Sequence, residues 1–238
     1  MTAIGKARGR NRLGLSGRQP IRGVVAIDLD GTLLPGTSVL QLLASELGAR
    51  SLVDSLERSF SAGTIGNDRV ADLTAAVFRG ARPRQLERVL AAANWLPGIS
   101  DAVERLAQTG CRTVLATVTW SFAAEIVASR FGFHGWCGTP MNVVRGRLTG
   151  RVESYFRPAD KAAYALEECR LLGLSGRHLI AIGDSRSDLE LFRVSGLSIA
   201  INATPDAISA ADVSMAVGDL REVVPLATTY LESVDSHS

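Results

Sequence analysis

Val24-Val25-Ala26-Ile27-Asp28-Leu29-Asp30-Gly31-Thr32 decides the fold. The four apolar residues read as a buried parallel strand. Two carboxylates then sit at the carboxyl end of that strand, where open α/β sheets build their sites. Alternation along an extended backbone lets Asp28 and Asp30 reach one small volume from different sides. Two acids that close repel each other unless a cation or a shared proton intervenes. Asp-Gly alone is a common turn dipeptide, so the motif needs a second cluster to carry weight. Leu179-Ile180-Ala181-Ile182 supplies one, running into Gly183-Asp184-Ser185-Arg186-Ser187-Asp188. Two buried strands that each end in paired aspartates make an oxygen-rich pocket, suited to a hard cation such as Mg²⁺. His134, His178 and His237 have no acids at telling spacings, and no His or Cys cluster offers a softer metal site.

Two more elements lie between these strands. Thr113-Val114-Leu115-Ala116-Thr117 reads as a strand that ends in a hydroxyl, and Lys161 opens a helical segment over Ala162–Leu172. An acid to attack, a hydroxyl and an ammonium to hold an anion, and acids to hold a metal are the parts phosphoryl transfer needs.

Acid strand, Thr strand, Lys and acid strand, in that order, resemble the four motifs of haloacid-dehalogenase (HAD) superfamily phosphohydrolases. The resemblance runs over roughly residues 22–225. It implies Asp28 as the nucleophile that forms an aspartyl-phosphate, and Asp30 as the acid, then base, for leaving group and water. Thr117 and Lys161 would bind the phosphoryl oxygens. Mg²⁺ would be held by Asp28, the backbone carbonyl of Asp30 and Asp184, with Asp188 supporting it through water or hydrogen bonds. The presence of Asp30 argues against a dehalogenase, since the dehalogenases of this family lack that acid.

The implied fold is α/β, a doubly wound Rossmann-like parallel sheet with a small α-helical cap inserted after the first strand. The core is expected over residues 22–35 and 96–238, the cap over 36–95, and a basic, disordered arm over 1–21. Cap helices are predicted at Val39–Leu47, Leu52–Ser61, Asn67–Phe78 and Pro83–Ala93, punctuated by Gly48, Gly63, Gly66 and Gly80. The two crossings, near Leu34-Pro35-Gly36 and Trp95-Leu96-Pro97-Gly98, are expected to act as hinges. Alternating residues around Arg145-Gly146 predict a hairpin over Val143–Val152. That hairpin and the late segment Ile199-Ala200-Ile201-Asn202-Ala203 resemble the phosphoserine-phosphatase branch in particular.

The chain also departs from that branch. The branch carries a Glu soon after its first motif, to pair with the substrate ammonium. Here Leu33-Leu34-Pro35-Gly36-Thr37-Ser38 holds no acid, and the first to follow is Glu46. Where the branch follows its motif-two hydroxyl with glycines, this chain has Val118-Thr119-Trp120. Thr119 and Trp120 are therefore candidate substrate-pocket residues. Trp120 either packs on an apolar or ring-shaped substrate or fills the space between core and cap. Arg50, Arg58 and Arg69 are cap cations able to clamp an anionic group, though each also fits a solvated helix face.

The resulting expectation is a Mg²⁺-dependent phosphomonoester hydrolase acting on a small-metabolite phosphate. The alternatives are a phosphotransferase to an alcohol acceptor and a non-catalytic phosphate-ligand sensor or regulatory protein. Composition agrees: 238 residues suffice for a domain with an insertion. The formal net charge is only +2, which gives no global case for nucleic acid. Residues 1–22 hold Lys6, Arg8, Arg10, Arg12, Arg18 and Arg22 without an acid, so the remainder is net negative. The arm reads as a solvated tail before it reads as a nucleic-acid or membrane-surface contact. No apolar stretch is long enough to span a membrane, and three scattered cysteines fit a reduced, cytoplasmic protein without structural disulfides.

Overall fold

The computed structural model describes residues 8–10 and 20–236 of the chain. A seven-stranded sheet forms the core. Its strands are β1 (Arg8–Arg10), β2 (Gly23–Ile27), β3 (Cys111–Trp120), β4 (Gly135–Thr139), β7 (Leu179–Gly183), β8 (Leu197–Ile201) and β9 (Val213–Met215), in the order β1-β4-β3-β2-β7-β8-β9. From β4 to β9 every pairing is parallel. The chain winds outward from β2 through β3 to β4, then returns to the other side of β2 at β7. The topological switch point therefore lies between β2 and β7, and the crevice beyond their carboxyl ends is where such sheets bind ligands. Ile27 pairs with Ile182 there, and the amide of Asp28 donates to the carbonyl of Ile182 at 2.9 Å.

The basic arm departs from the sequence expectation at one point. Residues 8–10 form β1, which pairs antiparallel with β4 through Arg8–Cys137, Gly9–Trp136 and Arg10–Gly135. An edge strand offers free backbone groups that any short extended segment can use, whatever its side chains. The rest of the arm lies outside the described residues.

Strand alternation splits the core into two layers. Val25, Ile27, Leu115, Ile180 and Ile182 face one side, where α5 (Ile99–Gln108), α6 (Ser121–Phe131) and α9 (Val224–Ser236) pack. Val24, Ala26, Val114, Ala116 and Ala181 face the other, against α7 (Pro158–Leu171) and α8 (Leu189–Val194). The small alanines on this second face let α7 lie close to the central strands. α7 starts four residues before the expected segment, because Pro158 supplies a pre-set φ at the first helical position. Lys161 thus lies inside the first turn.

The insert holds α1 (Val39–Glu46), α2 (Arg50–Ser61), α3 (Asn67–Ala75) continued by a 3₁₀ turn over Ala76–Phe78, and α4 (Pro83–Ala91). Ser38 caps α1 with a capping box: its hydroxyl accepts from the Gln41 amide at 3.0 Å, and its own amide donates to the Gln41 side chain at 3.1 Å. The hairpin β5 (Met141–Val144) and β6 (Arg147–Val152) turns at Arg145 and Gly146, both with positive φ, as a two-residue hairpin turn requires. It joins the cap: Gly80 N–H donates to the Leu148 carbonyl and Leu148 N–H to the Ala81 carbonyl, both at 2.8 Å. The insert is thus tied to the core side at a third place besides its two crossings. Among the described residues no helix is long and apolar enough to cross a membrane.

Candidate active site

The carboxyl ends of β2 and β7 bring Asp28, Asp184 and Asp188 together. One oxygen from each lies within 4.8 Å of the others. Asp28 continues β2 and is 2% exposed. Its Oδ1 accepts from Lys161 Nζ at 2.6 Å, while its buried Oδ2 has no hydrogen-bond partner. Lys161, fully buried on α7, also donates to Oδ1 of Asp188. Oδ2 of Asp188 accepts from the amides of Asp184 and Ser185, each at 3.1 Å. Both oxygens of Asp188 are thus engaged, which suits a support for the ammonium and the loop. Asp184 Oδ1 accepts from Thr32 Oγ1 at 3.1 Å.

Glycine is required where the two acid loops meet. Gly31 adopts φ +83°, and a Cβ there would fall 2.2 Å from Asp184 Oδ2. That absence of a side chain lets the β2 loop close on Asp184.

Burial raises the acids, and their mutual repulsion adds to it. Asp28 is pushed up to about 7 by burial and then by Asp188, against the pull of Lys161. Asp184 rises to about 8, through burial and then Asp28 and Asp188. Asp30 rises to about 7: burial leads, the Val39 amide opposes it, and Glu57 and Asp184 push further up. Burial works against the Lys161 ammonium, but Asp188 and Asp28 outweigh it and hold the group charged. Three carboxylates gathered around one point, with oxygen donors throughout, fit a hard divalent cation. The single ammonium leaves the three acids under-compensated.

Above them lies a cavity of about 540 Å³, lined by Asp28, Asp30, Thr117, Thr119, Trp120 and Asp184 on the core side. Thr117 is not the end of its strand, as the sequence had suggested. β3 runs on to Trp120 through an irregularity in its pairing with β4 between Ala116 and Trp120. There the Thr117 hydroxyl accepts from the Thr119 amide at 3.1 Å. Trp120 packs edge-on against Phe78 of the cap, centroids 5.9 Å apart, as the space-filling reading expects, and it also lines the cavity. Trp95 has a packing position, with its ring nitrogen donating to the Leu90 carbonyl and its ring edge-on to Phe131.

The cap side contributes Ser38, Gln41, Glu57 and Phe60, with a stripe from α3 formed by Asn67, Val70, Ala71 and Thr74. None of Arg50, Arg58 and Arg69 lines the cavity. Arg50 pairs with Asp54 at 2.6 Å, and Arg58 and Arg69 are exposed. Glu57 and Arg186 escaped the sequence reading. Arg186 donates to the Phe60 carbonyl at 2.7 Å and lies over its ring at 5.0 Å, so the β7 loop touches the cap. Ser38-x-x-Gln41 is a capping-box pattern that could have pointed to Ser38, but nothing local tells Glu57 from other surface acids. Cys111, Cys137 and Cys169 are buried and form no disulfide.

Fold and site together define an α/β protein that gathers buried carboxylates and one ammonium at its switch point, beneath a helical cap. The family model for haloacid dehalogenase-like hydrolases matches residues 25–193, and the chain belongs to that family. Its curated relatives place it in the phosphoserine-phosphatase-like branch. It is 26% identical over 198 residues to a phosphoserine phosphatase of Archaeoglobus fulgidus, a match covering 83% of this chain and 57% of that protein. It is 23% identical over 205 residues to a phosphoserine phosphatase of Haemophilus influenzae, covering 86% of this chain and 65% of that protein. The chain therefore spans less than two thirds of either relative. A phosphoserine phosphatase structure described as a phospho-aspartyl intermediate analogue superposes with TM-score 0.76 at 20% identity, over 86% of this chain and 98% of the other. A substrate-bound phosphoserine phosphatase superposes with TM-score 0.77 at 19% identity, over 88% and 99%.

Proposed function

We propose that the protein is a Mg²⁺-dependent phosphomonoester hydrolase that works on a small-metabolite phosphate through an aspartyl-phosphate on Asp28. The observation that carries this reading is the pairing state of Asp28: one oxygen held by Lys161, the other buried without a partner at the cavity floor. A carboxylate fixed on one oxygen and free on the other is oriented for attack.

Oδ2 of Asp28 forms a bond to phosphorus as the bond from phosphorus to the alcohol oxygen breaks. Asp30, protonated near neutral pH by its buried setting, gives its proton to that departing oxygen. The same carboxylate then takes a proton from water as the water oxygen attacks phosphorus. The phosphorus–Asp28 bond breaks, and inorganic phosphate and the free carboxylate result. An ammonium has three donors; two of those on Lys161 go to Asp28 and Asp188, which leaves one for a phosphoryl oxygen. Thr117 Oγ1 provides a second contact from β3.

Asp28, Asp184 and the backbone carbonyl of Asp30 would hold Mg²⁺, with Asp188 acting indirectly. Bound there, the ion offsets the charge that gathers on the transferring group. A 540 Å³ cavity suits a small molecule. The cap excludes water and strengthens every interaction on the transferring group.

The test is phosphate release from a panel of phosphate monoesters, with Mg²⁺ and with a chelator. Release that needs Mg²⁺ supports the reading. Equal release with chelator present, or transfer only to an added alcohol, rejects it.

A further inference from the structure

The proposal rests on the hydrolase reading and concerns what the cap selects. The cavity wall opposite the phosphate floor has an unusual charge balance. Of the cap residues that line it, Glu57 alone is charged. Helix α2 turns Glu57, Phe60 and Ser61 toward the cavity, at the spacing of one helical face. α3 turns Asn67, Val70, Ala71 and Thr74 toward it, all uncharged.

A hydroxyl fixes Glu57 in place. The Ser38 hydroxyl donates to its Oε1, and Ser38 is itself fixed by accepting from the Gln41 amide at 3.0 Å. The nearby cations have other contacts: Arg50 pairs with Asp54 at 2.6 Å, and Arg186, which lines the same cavity from the β7 loop, gives one guanidinium nitrogen to the Phe60 carbonyl and lies over its ring. Glu57 is close enough to Asp30 to push that acid upward, so the two carboxylates repel across the cavity. A partly buried carboxylate held in place by a hydroxyl, facing other acids and in no ion pair among the described residues, is complementary to a positive group.

The same wall is unsuited to a second anion. A carboxylate on the leaving alcohol would approach Glu57 and Asp30, and Arg186, the cation among the lining residues, is held against Phe60. We infer that Glu57 is a specificity-determining residue, and that the substrate is the phosphate ester of a short amino alcohol. Such an ester carries an ammonium toward Glu57 and no carboxylate.

The test compares three esters of similar length on the full chain: phosphoethanolamine, a neutral hydroxyalkyl phosphate, and phosphoserine. The wild type is expected to favour phosphoethanolamine over the hydroxyalkyl ester by about 10- to 100-fold in kcat/KM, as a hydrogen-bonded charge pair allows. Glu57→Gln should bring that ratio close to one, mainly through KM. A merely structural role for Glu57 would lower both substrates alike and leave the ratio in place. Binding of the same esters to Asp28→Asn, followed by calorimetry, gives a readout that does not need turnover. Equal affinity for amine and hydroxyl esters overturns the inference, as does a ratio that survives Glu57→Gln. Phosphoserine turned over as well as phosphoethanolamine overturns the exclusion of a carboxylate. If none of the esters is hydrolysed yet the amine ester binds selectively through Glu57, the hydrolase reading fails and this one stands.

Discussion

The amide of Val39 donates to Oδ1 of Asp30 at 2.6 Å. Val39 is the first residue of α1, so the cap begins by fixing the acid two positions beyond Asp28. A helix N-terminus carries unpaired amides and a partial positive charge. Here that end restrains Asp30 and moderates the upward push of burial on it. The start of the insert and the position of the Asp30 carboxylate are therefore parts of one arrangement.

Asp30→Asn should separate leaving groups by their need for a proton. Alkyl phosphates, whose alkoxide leaves poorly, are expected to lose about 10²- to 10⁴-fold in kcat/KM. p-Nitrophenyl phosphate, whose phenolate leaves unaided, should lose much less. Parallel measurement on both esters decides it; equal losses would remove Asp30 from the role of acid.

Asp28→Asn removes the attacking oxygen without changing the size of the side chain. Turnover is expected to fall by at least about 10⁴-fold. Rapid acid quench of the wild type with ³²P-labelled ester should capture label on the protein, and the variant should capture none. Label on Asp28→Asn at wild-type level would assign the nucleophile elsewhere.

Lys161→Met replaces a fully buried ammonium between two carboxylates with an apolar side chain of similar length. The loss leaves Asp28 and Asp188 facing each other uncompensated. Breaking a buried ion pair from one side costs about 3–5 kcal/mol. Urea unfolding at pH 7.5 should register a loss of that order, and at pH 5, where the raised acids take up protons, a smaller one. An identical loss at both pH values would deny the charge origin of the effect.

Much of this was legible before the structure, for reasons particular residues make plain. Val24–Ile27 and Leu179–Ile182 are short apolar runs without period, the pattern of strands buried on both faces, and the turn residues after them favour strand over helix. Their acids identified the switch point because the chemistry and the topology coincide there. The four cap helices followed from glycine punctuation, with ends displaced by only a few residues. What could not be read depended on tertiary approach. Glu57 sits between Leu56 and Arg58 like any surface acid until α2 packs on α1 and brings it to Ser38. The extension of β3 to Trp120 depends on pairing with β4, and β1 exists only because β4 offers an edge.

Gly31→Ala tests the contact between the two acid loops. A Cβ at that position would lie 2.2 Å from Asp184 Oδ2, on a backbone with φ +83° that L residues avoid. Asp184 must shift, and its hydrogen bond from Thr32 shifts with it. Disturbing the supports of a metal-binding carboxylate costs about 10- to 100-fold in affinity. Mg²⁺ titration by calorimetry should give a loss in that range. Unchanged Mg²⁺ affinity would take Asp184 out of the metal site.

Without a cation, the acid cluster should make stability depend on pH in an unusual direction. Asp28 and Asp184 start from 3.8 and rise to about 7 and about 8 in the folded chain. Between about pH 4 and pH 8 the folded state keeps protons that the unfolded chain has released. Stability of the metal-free protein is therefore greatest at the acid end of this window and falls as pH rises through it. The slope is about 1.4 kcal/mol per pH unit for each such group. His134, lowered by burial and then by Arg112, acts in the opposite sense, since its neutral folded form is favoured as pH rises through its ordinary range. That contribution is common to both forms of the protein and cancels in their difference. A divalent cation replaces the missing positive charge, so the difference between Mg²⁺-loaded and chelator-treated protein should widen steadily from pH 5 to pH 8. Thermal unfolding across that range measures it. Parallel curves would show that the cation does not bind these carboxylates, and the cluster would then have no ion to explain its composition.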